Sequence, residues 1–198
     1  DIHTPLTSYH EHNKRSKLPS LLAALKEKDI ALVTDAGTPG VSDPGYEFVR
    51  AASDAGVRVV PIPGASAITS AIAVSGLPAD RFVYLGFLPR RRSERLKLLE
   101  SLATERRAMV ALETPRRLRA ALEDLLETLG DRRIVVGREL TKLHEEVFRG
   151  AVSEALETFI APRGEFTLVI EGAAESATPA SPEAARELLT RYREEGLG

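Results

Sequence analysis

An α/β fold built on a largely parallel sheet is what this chain predicts, on three observations. Short apolar runs bounded by turn residues alternate with stretches of helical period. Polar, glycine- and proline-bearing turns follow one apolar run after another, as at the carboxyl ends of strands in βα units. The cluster Gly76-Leu77-Pro78-Ala79-Asp80 then breaks the pattern in two and predicts two lobes.

The strands are expected at 30–34, 58–62, 81–87, 108–112, 133–137 and 166–170, with a short antiparallel one at 144–149. Asp43 followed by Pro44 suits a helix start, with Asp43 as N-cap and Tyr46, Phe48, Val49 and Ala52 as an inward face running to Gly56. Further helices are expected at 65–75, 92–104, 115–129, 151–160 and 181–195. The division follows as a first lobe over 1–79, a second over 80–172, and a linker with the start of a C-terminal helical extension over 173–198.

With 198 residues of which 43% are hydrophobic, the chain can bury a substantial core. No apolar run approaches the roughly 20 residues of a membrane span, and nothing at the start reads as a signal peptide. The absence of cysteine excludes disulfides and thiolate metal sites, and suits a reducing cytoplasm. Net charge is only −2, but residues 81–119 hold 11 Lys/Arg against 4 Asp/Glu. An arginine excess of that density can form the footprint of a polyanion, or a solvated helix face with ordinary ion pairs.

The most informative stretch is Asp35-Ala36-Gly37-Thr38-Pro39-Gly40-Val41-Ser42-Asp43-Pro44-Gly45. Glycine lets backbone approach a small ligand closely, and Asp35, Thr38, Ser42 and Asp43 offer hydrogen bonds. Similar turns are Pro61-Ile62-Pro63-Gly64-Ala65-Ser66, Phe87-Leu88-Pro89-Arg90-Arg91-Arg92, Glu113-Thr114-Pro115-Arg116-Arg117 and Arg138-Glu139-Leu140-Thr141-Lys142. If the lobes face each other across these strand ends, one cleft is lined by all five.

Phosphate-binding signatures are absent: no Gly-x-Gly-x-x-Gly and no Gly-Lys-Ser/Thr. A ligand with adenosine, an amino acid and a positive centre but no phosphate asks for a carboxylate, carbonyls and small residues. Asp35, Gly37, Thr38, Ser66 and Ala67 meet that demand, although Asp35 could equally hold its own turn. No metal is expected, since His10-Glu11-His12 lacks a third ligand and His144-Glu145-Glu146 lacks the metalloprotease spacing. There is no Gly-x-Ser-x-Gly elbow. Glu113 and Lys142 are the strand-end groups to consider for proton transfer, against structural ion pairing for each.

Taken in order, Tyr9-His10-Glu11-His12-Asn13, Asp35-Ala36-Gly37-Thr38-Pro39-Gly40, Ser42-Asp43-Pro44-Gly45, Pro61-Ile62-Pro63-Gly64-Ala65-Ser66-Ala67, Ser75-Gly76-Leu77-Pro78, Gly86-Phe87-Leu88-Pro89, Glu113-Thr114-Pro115-Arg116-Arg117-Leu118 and Glu139-Leu140-Thr141-Lys142-Leu143-His144-Glu145-Glu146 closely resemble the ribosomal RNA small-subunit methyltransferase I family. That family belongs to the tetrapyrrole-methylase-like, class III S-adenosylmethionine-dependent methyltransferases. The resemblance covers residues 1–172.

It implies two αβα lobes with S-adenosylmethionine between them, a homodimer, and methyl transfer to the ribose 2′-hydroxyl of a cytidine in the decoding region of small-subunit (16S) ribosomal RNA. Gly37-Thr38-Pro39 stand at the family's Gly-Asp-Pro position, and Asp35, Ser66, Ala67 and Leu112 would lie near the cofactor. Arg90, Arg91, Arg92, Arg95, Arg116 and Arg117 would meet RNA phosphates. Family members begin with a further strand, a Pro-Ile-Gly-Asn-like turn and a helix, so a first lobe lacking those elements is expected, with weakened cofactor binding. Two other classes share some of these features: a tetrapyrrole or precorrin-type small-molecule methyltransferase, and a noncatalytic RNA-binding module.

Overall fold

The computed structural model describes residues 3–35 and 37–174. Among them the chain runs α1 (Lys14–Ala24), α2 (Tyr46–Asp54), α3 (Ala67–Ser75), β1 (Phe82–Phe87), α4 (Arg92–Ser101), β2 (Ala108–Glu113), α5 (Pro115–Leu129), β3 (Arg133–Arg138), β4 (Glu146–Ala151), α6 (Val152–Thr158) and β5 (Phe166–Ile170). The strands make one sheet in the order β1-β2-β5-β3-β4.

That sheet is mixed. β1 and β2 pair in parallel, β5 lies antiparallel between β2 and β3, and β4 returns antiparallel along β3. β1, β2 and β3 therefore all point one way, and their last residues share an edge with the first residue of β5. Phe87 is level with Leu112, and Phe166 pairs with Glu113 on one side and Arg138 on the other.

The two central strands, Ala-Met-Val-Ala-Leu and Phe-Thr-Leu-Val-Ile, are apolar almost throughout because both faces of the sheet are covered. Side chains alternate between those faces. Met109, Ala111, Ile134, Val136, Leu168 and Ile170 turn toward α4, α5 and α6, where Leu99, Leu118, Leu122 and Leu125 meet them. Ala108, Val110, Val135 and Val169 turn the other way, toward Ala71 of α3 and Leu77. Helix α3, which the turn at 76–80 would assign to the first lobe, thus packs on the sheet that follows it. Its C-terminus is capped by Gly76 in the left-handed region (φ 69°), and Arg149 of β4 donates to the Val74 carbonyl. Helix α5 begins at Pro115 and stops at Gly130, the positions where each residue costs a helix least.

Several expectations change. The apolar runs at 30–34 and 58–62 form no strand, since neither has a ladder partner among the described residues, and Val33, Val60 and Ile62 are exposed. Apolar, β-branched composition favours an extended backbone, but a strand exists only when a neighbour takes its hydrogen bonds. Asp43 is not the cap of α2; its carboxylate accepts from the Thr34 hydroxyl at 3.2 Å and the helix starts from Gly45. Helix α1 is an addition to the elements expected, with Pro19 inside it. The helix expected at 181–195 and most of the 173–198 linker lie outside the described residues. No helix among the described residues is long and apolar enough to cross a membrane.

Candidate functional site

Three of the five turns singled out in the sequence, those after β1, β2 and β3, meet on one sheet edge because their strands run the same way. The turn after β1 is held there by two arginines. Arg95 donates to the Pro89 carbonyl at 3.1 Å, and Arg117 donates to Pro89 at 3.2 Å and to the Leu88 carbonyl. Each arginine is itself fixed by a buried carboxylate. Asp124 on α5 takes the Arg95 Nε at 2.7 Å and the Arg92 Nε at 2.9 Å, while Glu113 Oε2 lies 3.1 Å from Arg117 Nη2.

These bonds sort the six arginines expected to meet phosphate. Arg95 is only 5% exposed, and its burial against Asp124 removes it from any phosphate contact. Arg117 is half-buried and committed to Glu113 and two carbonyls. Arg92 is exposed but bridges Asp124 and Glu127, the latter at 2.5 Å. Arg91 has only an exposed contact of 3.3 Å with Glu94, a pair of little strength in water. Arg90 and Arg116 are exposed without a side-chain partner among the described residues. Arg95 and Arg117 therefore hold the turn after β1, and Arg90, Arg91 and Arg116 are the cations that the sheet edge presents.

Glu113 follows Leu112 and so faces α5, away from α3. It is 1% exposed; its Oε1 accepts from the Thr114 amide at 2.8 Å, and Oε2 faces Arg117 without a well-formed hydrogen bond. Burial pushes this carboxyl up from its ordinary range, against the Thr114 amide and the Arg117 and Arg95 charges. These contacts fit the structural ion pairing considered for it in the sequence. Lys142 is no proton acceptor. Hydrogen bonds to Glu165 at 2.8 Å and Glu139 at 3.3 Å raise its affinity for a proton, so it stays charged at neutral pH.

Two of the cofactor candidates, Ala67 and Leu112, lie on the α3 face of the sheet. Leu112 shares the face of Val110, where Ala67 and Tyr84 also pack. The glycine-rich loop reaches this face through Ser42, whose Oγ is 2.6 Å from the Tyr84 hydroxyl. The loop doubles back so tightly that a side chain at Gly45 (φ 155°) would lie 2.9 Å from the Gly40 nitrogen. At Gly37 (φ 76°) the space beside the backbone is open. Asp35 and Thr38 are exposed, Pro39, Ser66 and Ala67 half-buried, and Ser66 leads directly into α3.

Tyr84 was not among the residues the sequence pointed to. The signal was a hydroxyl inside an otherwise apolar strand, one that needs a partner when it is partly buried. The loop after β3 also carries two non-glycine residues in the left-handed region, Glu139 (φ 48°) and Thr141 (φ 69°). Such strain marks a loop held in place by its surroundings. Here the Glu165 amide donates to Glu139 at 2.7 Å and Glu145 accepts from the Thr141 amide at 2.6 Å.

Residues 2–156 match the family of Tetrapyrrole (Corrin/Porphyrin) Methylases. A protein of Synechocystis named Ribosomal RNA small subunit methyltransferase I is 47% identical over 99% of this chain and 72% of its own length. One of the same name from Thermotoga maritima is 48% identical over 86% of this chain and 78% of its own. Among solved structures, a uroporphyrin-III C-methyl transferase from Thermus thermophilus, complexed with S-adenyl homocysteine, superimposes with a TM-score of 0.56 at 19% identity, covering 82% of this chain and 75% of that one. At that identity the likeness speaks for the fold. The chain belongs to the tetrapyrrole methylase family and, within it, to the ribosomal RNA small subunit methyltransferase I proteins.

Proposed function

We propose that this chain is the greater part of an S-adenosylmethionine-dependent enzyme that methylates small-subunit ribosomal RNA, at the ribose 2′-hydroxyl of a cytidine in the decoding region. The observation that carries the reading is the opposition of two surfaces. Exposed arginines stand on the edge where β1 and β2 end, and a glycine-rich loop is tied to the α3 face of the same strands by Ser42 and Tyr84.

The residues present fit the cofactor. Gly37 leaves open space for close approach, Asp35 and Thr38 offer an exposed carboxylate and hydroxyl, Ser66 and Ala67 are small, and Leu112 supplies an apolar floor. S-adenosylmethionine, when bound, supplies an electrophilic methyl on a positively charged sulfur. Held there, it would give that methyl to the ribose oxygen and be released as a neutral thioether, the hydroxyl proton passing to solvent water. Alignment of hydroxyl, methyl and sulfur can account for several kcal/mol of acceleration. The proton does not go to Glu113 or Lys142, for the reasons of burial and charge given above. The loop and Leu112 position the donor; Arg90, Arg91 and Arg116 position the RNA through its phosphates, without reading bases.

A tetrapyrrole substrate would give these exposed arginines no extended polyanion to meet, and a noncatalytic module would have no use for the open glycine loop. A cytoplasmic homodimer is part of the proposal. Mass spectrometry of ribosomal RNA from cells lacking the gene tests it. One ribose methyl should disappear from the small-subunit RNA and return with the intact gene. An unchanged set of ribose methyls would end the reading.

A further inference from the structure

Beside the turn after β2, an open trough of about 630 Å³ runs between the start of α5 and the loop leading into β5. Arg116, Arg119 and Arg163 line it together with Ile160, Pro162 and Gly164. Arg163 was not singled out in the sequence, and none of the five turns includes it.

The lining contains no carboxylate. Arg116 and Arg163 are exposed and make no side-chain hydrogen bond or ion pair among the described residues. Arg119 is steadied by the Leu156 carbonyl at 3.0 Å and lies 3.3 Å from the exposed Glu123. The carboxylate behind Gly164, that of Glu139, is taken up by the Glu165 amide and Lys142. Ile160 is 76% exposed, an apolar surface next to the cations.

Local energetics do not explain the arrangement. The first turn of α5 carries Arg116 and Arg117 and no acidic residue. That is the wrong sign for a helix N-terminus, which favours anions. Arg117 has structural partners in Glu113 and the carbonyls of Leu88 and Pro89, but Arg116 has none. A cation kept where the helix disfavours it, lining the same trough as a second free cation and an exposed isoleucine, suits a ligand with repeated negative charges.

We propose that this trough is a second seat for the RNA backbone, continuing the contact made by Arg90 and Arg91 around the sheet edge. Arg116 and Arg163 would hold phosphates, and Ile160 would lie against a ribose. The inference rests on the RNA-methylation reading above and deepens it by giving the substrate a path across the surface.

The test measures binding of the full-length protein to isolated small ribosomal subunits over a range of salt concentrations. Wild type is compared with the double variant Arg116→Ala/Arg163→Ala, and S-adenosylmethionine affinity is measured alongside. Phosphate contacts make affinity fall with salt by an amount that counts them. The double variant should bind about tenfold more weakly at low salt, with a log–log salt slope shallower by roughly 1.5, and unchanged cofactor affinity. Arg163→Glu, in the loop before β5 and so outside any helix, should weaken subunit binding further still. Unchanged slope and affinity in both variants, with salt-sensitive binding by wild type, would overturn the trough while leaving the RNA reading intact. A wild-type protein that binds the cofactor but no subunit would overturn both.

Discussion

Arg117 Nη2 lies 3.1 Å from Glu113 Oε2 and donates to the carbonyls of Leu88 and Pro89, so one guanidinium ties the end of β2 to the turn after β1. Glu113 is enclosed and Arg117 only half-buried, so removing the arginine leaves a buried charge unpaired while removing the carboxylate does not. Arg117→Ala should therefore cost about 3 kcal/mol or more in a urea titration, whereas Glu113→Gln, which removes charge but keeps shape, should cost about 1 kcal/mol.

The pH dependence of stability should carry the same signature. Burial raises the Glu113 carboxyl above its ordinary value of 4.5. A group that binds its proton more tightly when folded favours the native state at low pH, and that advantage is lost as pH rises from the unfolded value through the raised one. Wild type should lose stability across that window relative to Glu113→Gln. Parallel curves for the two proteins above pH 4.5 would contradict this account of the site.

Asp124 is the corresponding carboxylate for Arg95. Breaking a buried ion pair from one side costs about 3–5 kcal/mol, and 1 kcal/mol moves the melting point of a chain this size by about 2–4 °C. Asp124→Ala should thus lower Tm by about 6 °C or more, measured by calorimetry, and should loosen the Leu88-Pro89-Arg90 turn that Arg95 holds. A shift below 2 °C would mean that Arg95 finds another partner.

Tyr84→Phe removes a 2.6 Å hydroxyl contact with Ser42 and nothing else of substance. Stability should fall by about 1 kcal/mol. If the loop from Gly37 to Gly45 holds the methyl donor, cofactor affinity should drop about fivefold by calorimetry, since 1.4 kcal/mol corresponds to a factor of ten. The salt dependence of RNA binding should stay as in wild type.

Much of the sheet was legible in the sequence, and the reasons are visible in particular residues. The strands at 82–87, 108–113, 133–138 and 166–170 read clearly because their apolar runs end in turn residues, and α5 because Pro115 and Gly130 mark both ends. The runs at 30–34 and 58–62 misled because composition records an extended preference but not the presence of a neighbour to pair with. Helix α1 was hidden by Pro19 and by the lack of an apolar stripe. Within the arginine cluster, sequence alone could not separate Arg95 from Arg90. The difference lies in Asp124, distant along the chain and brought over by the packing of α5 on α4. Arg163 was missed for the converse reason: it stands alone in sequence and joins Arg116 only when β5 folds back between β2 and β3.

The central claim, that an arginine-bearing sheet edge presents ribosomal RNA to a methyl donor held by the glycine loop, is tested most directly by methyl transfer itself. Purified full-length enzyme, isotopically labelled S-adenosylmethionine and isolated small ribosomal subunits should yield label in one ribose-methylated cytidine. Arg90→Ala/Arg91→Ala should lower kcat/KM at least tenfold with the cofactor Kd unchanged. Label on a porphyrinoid and none on RNA, or undiminished transfer by the double variant at raised salt, would contradict the account.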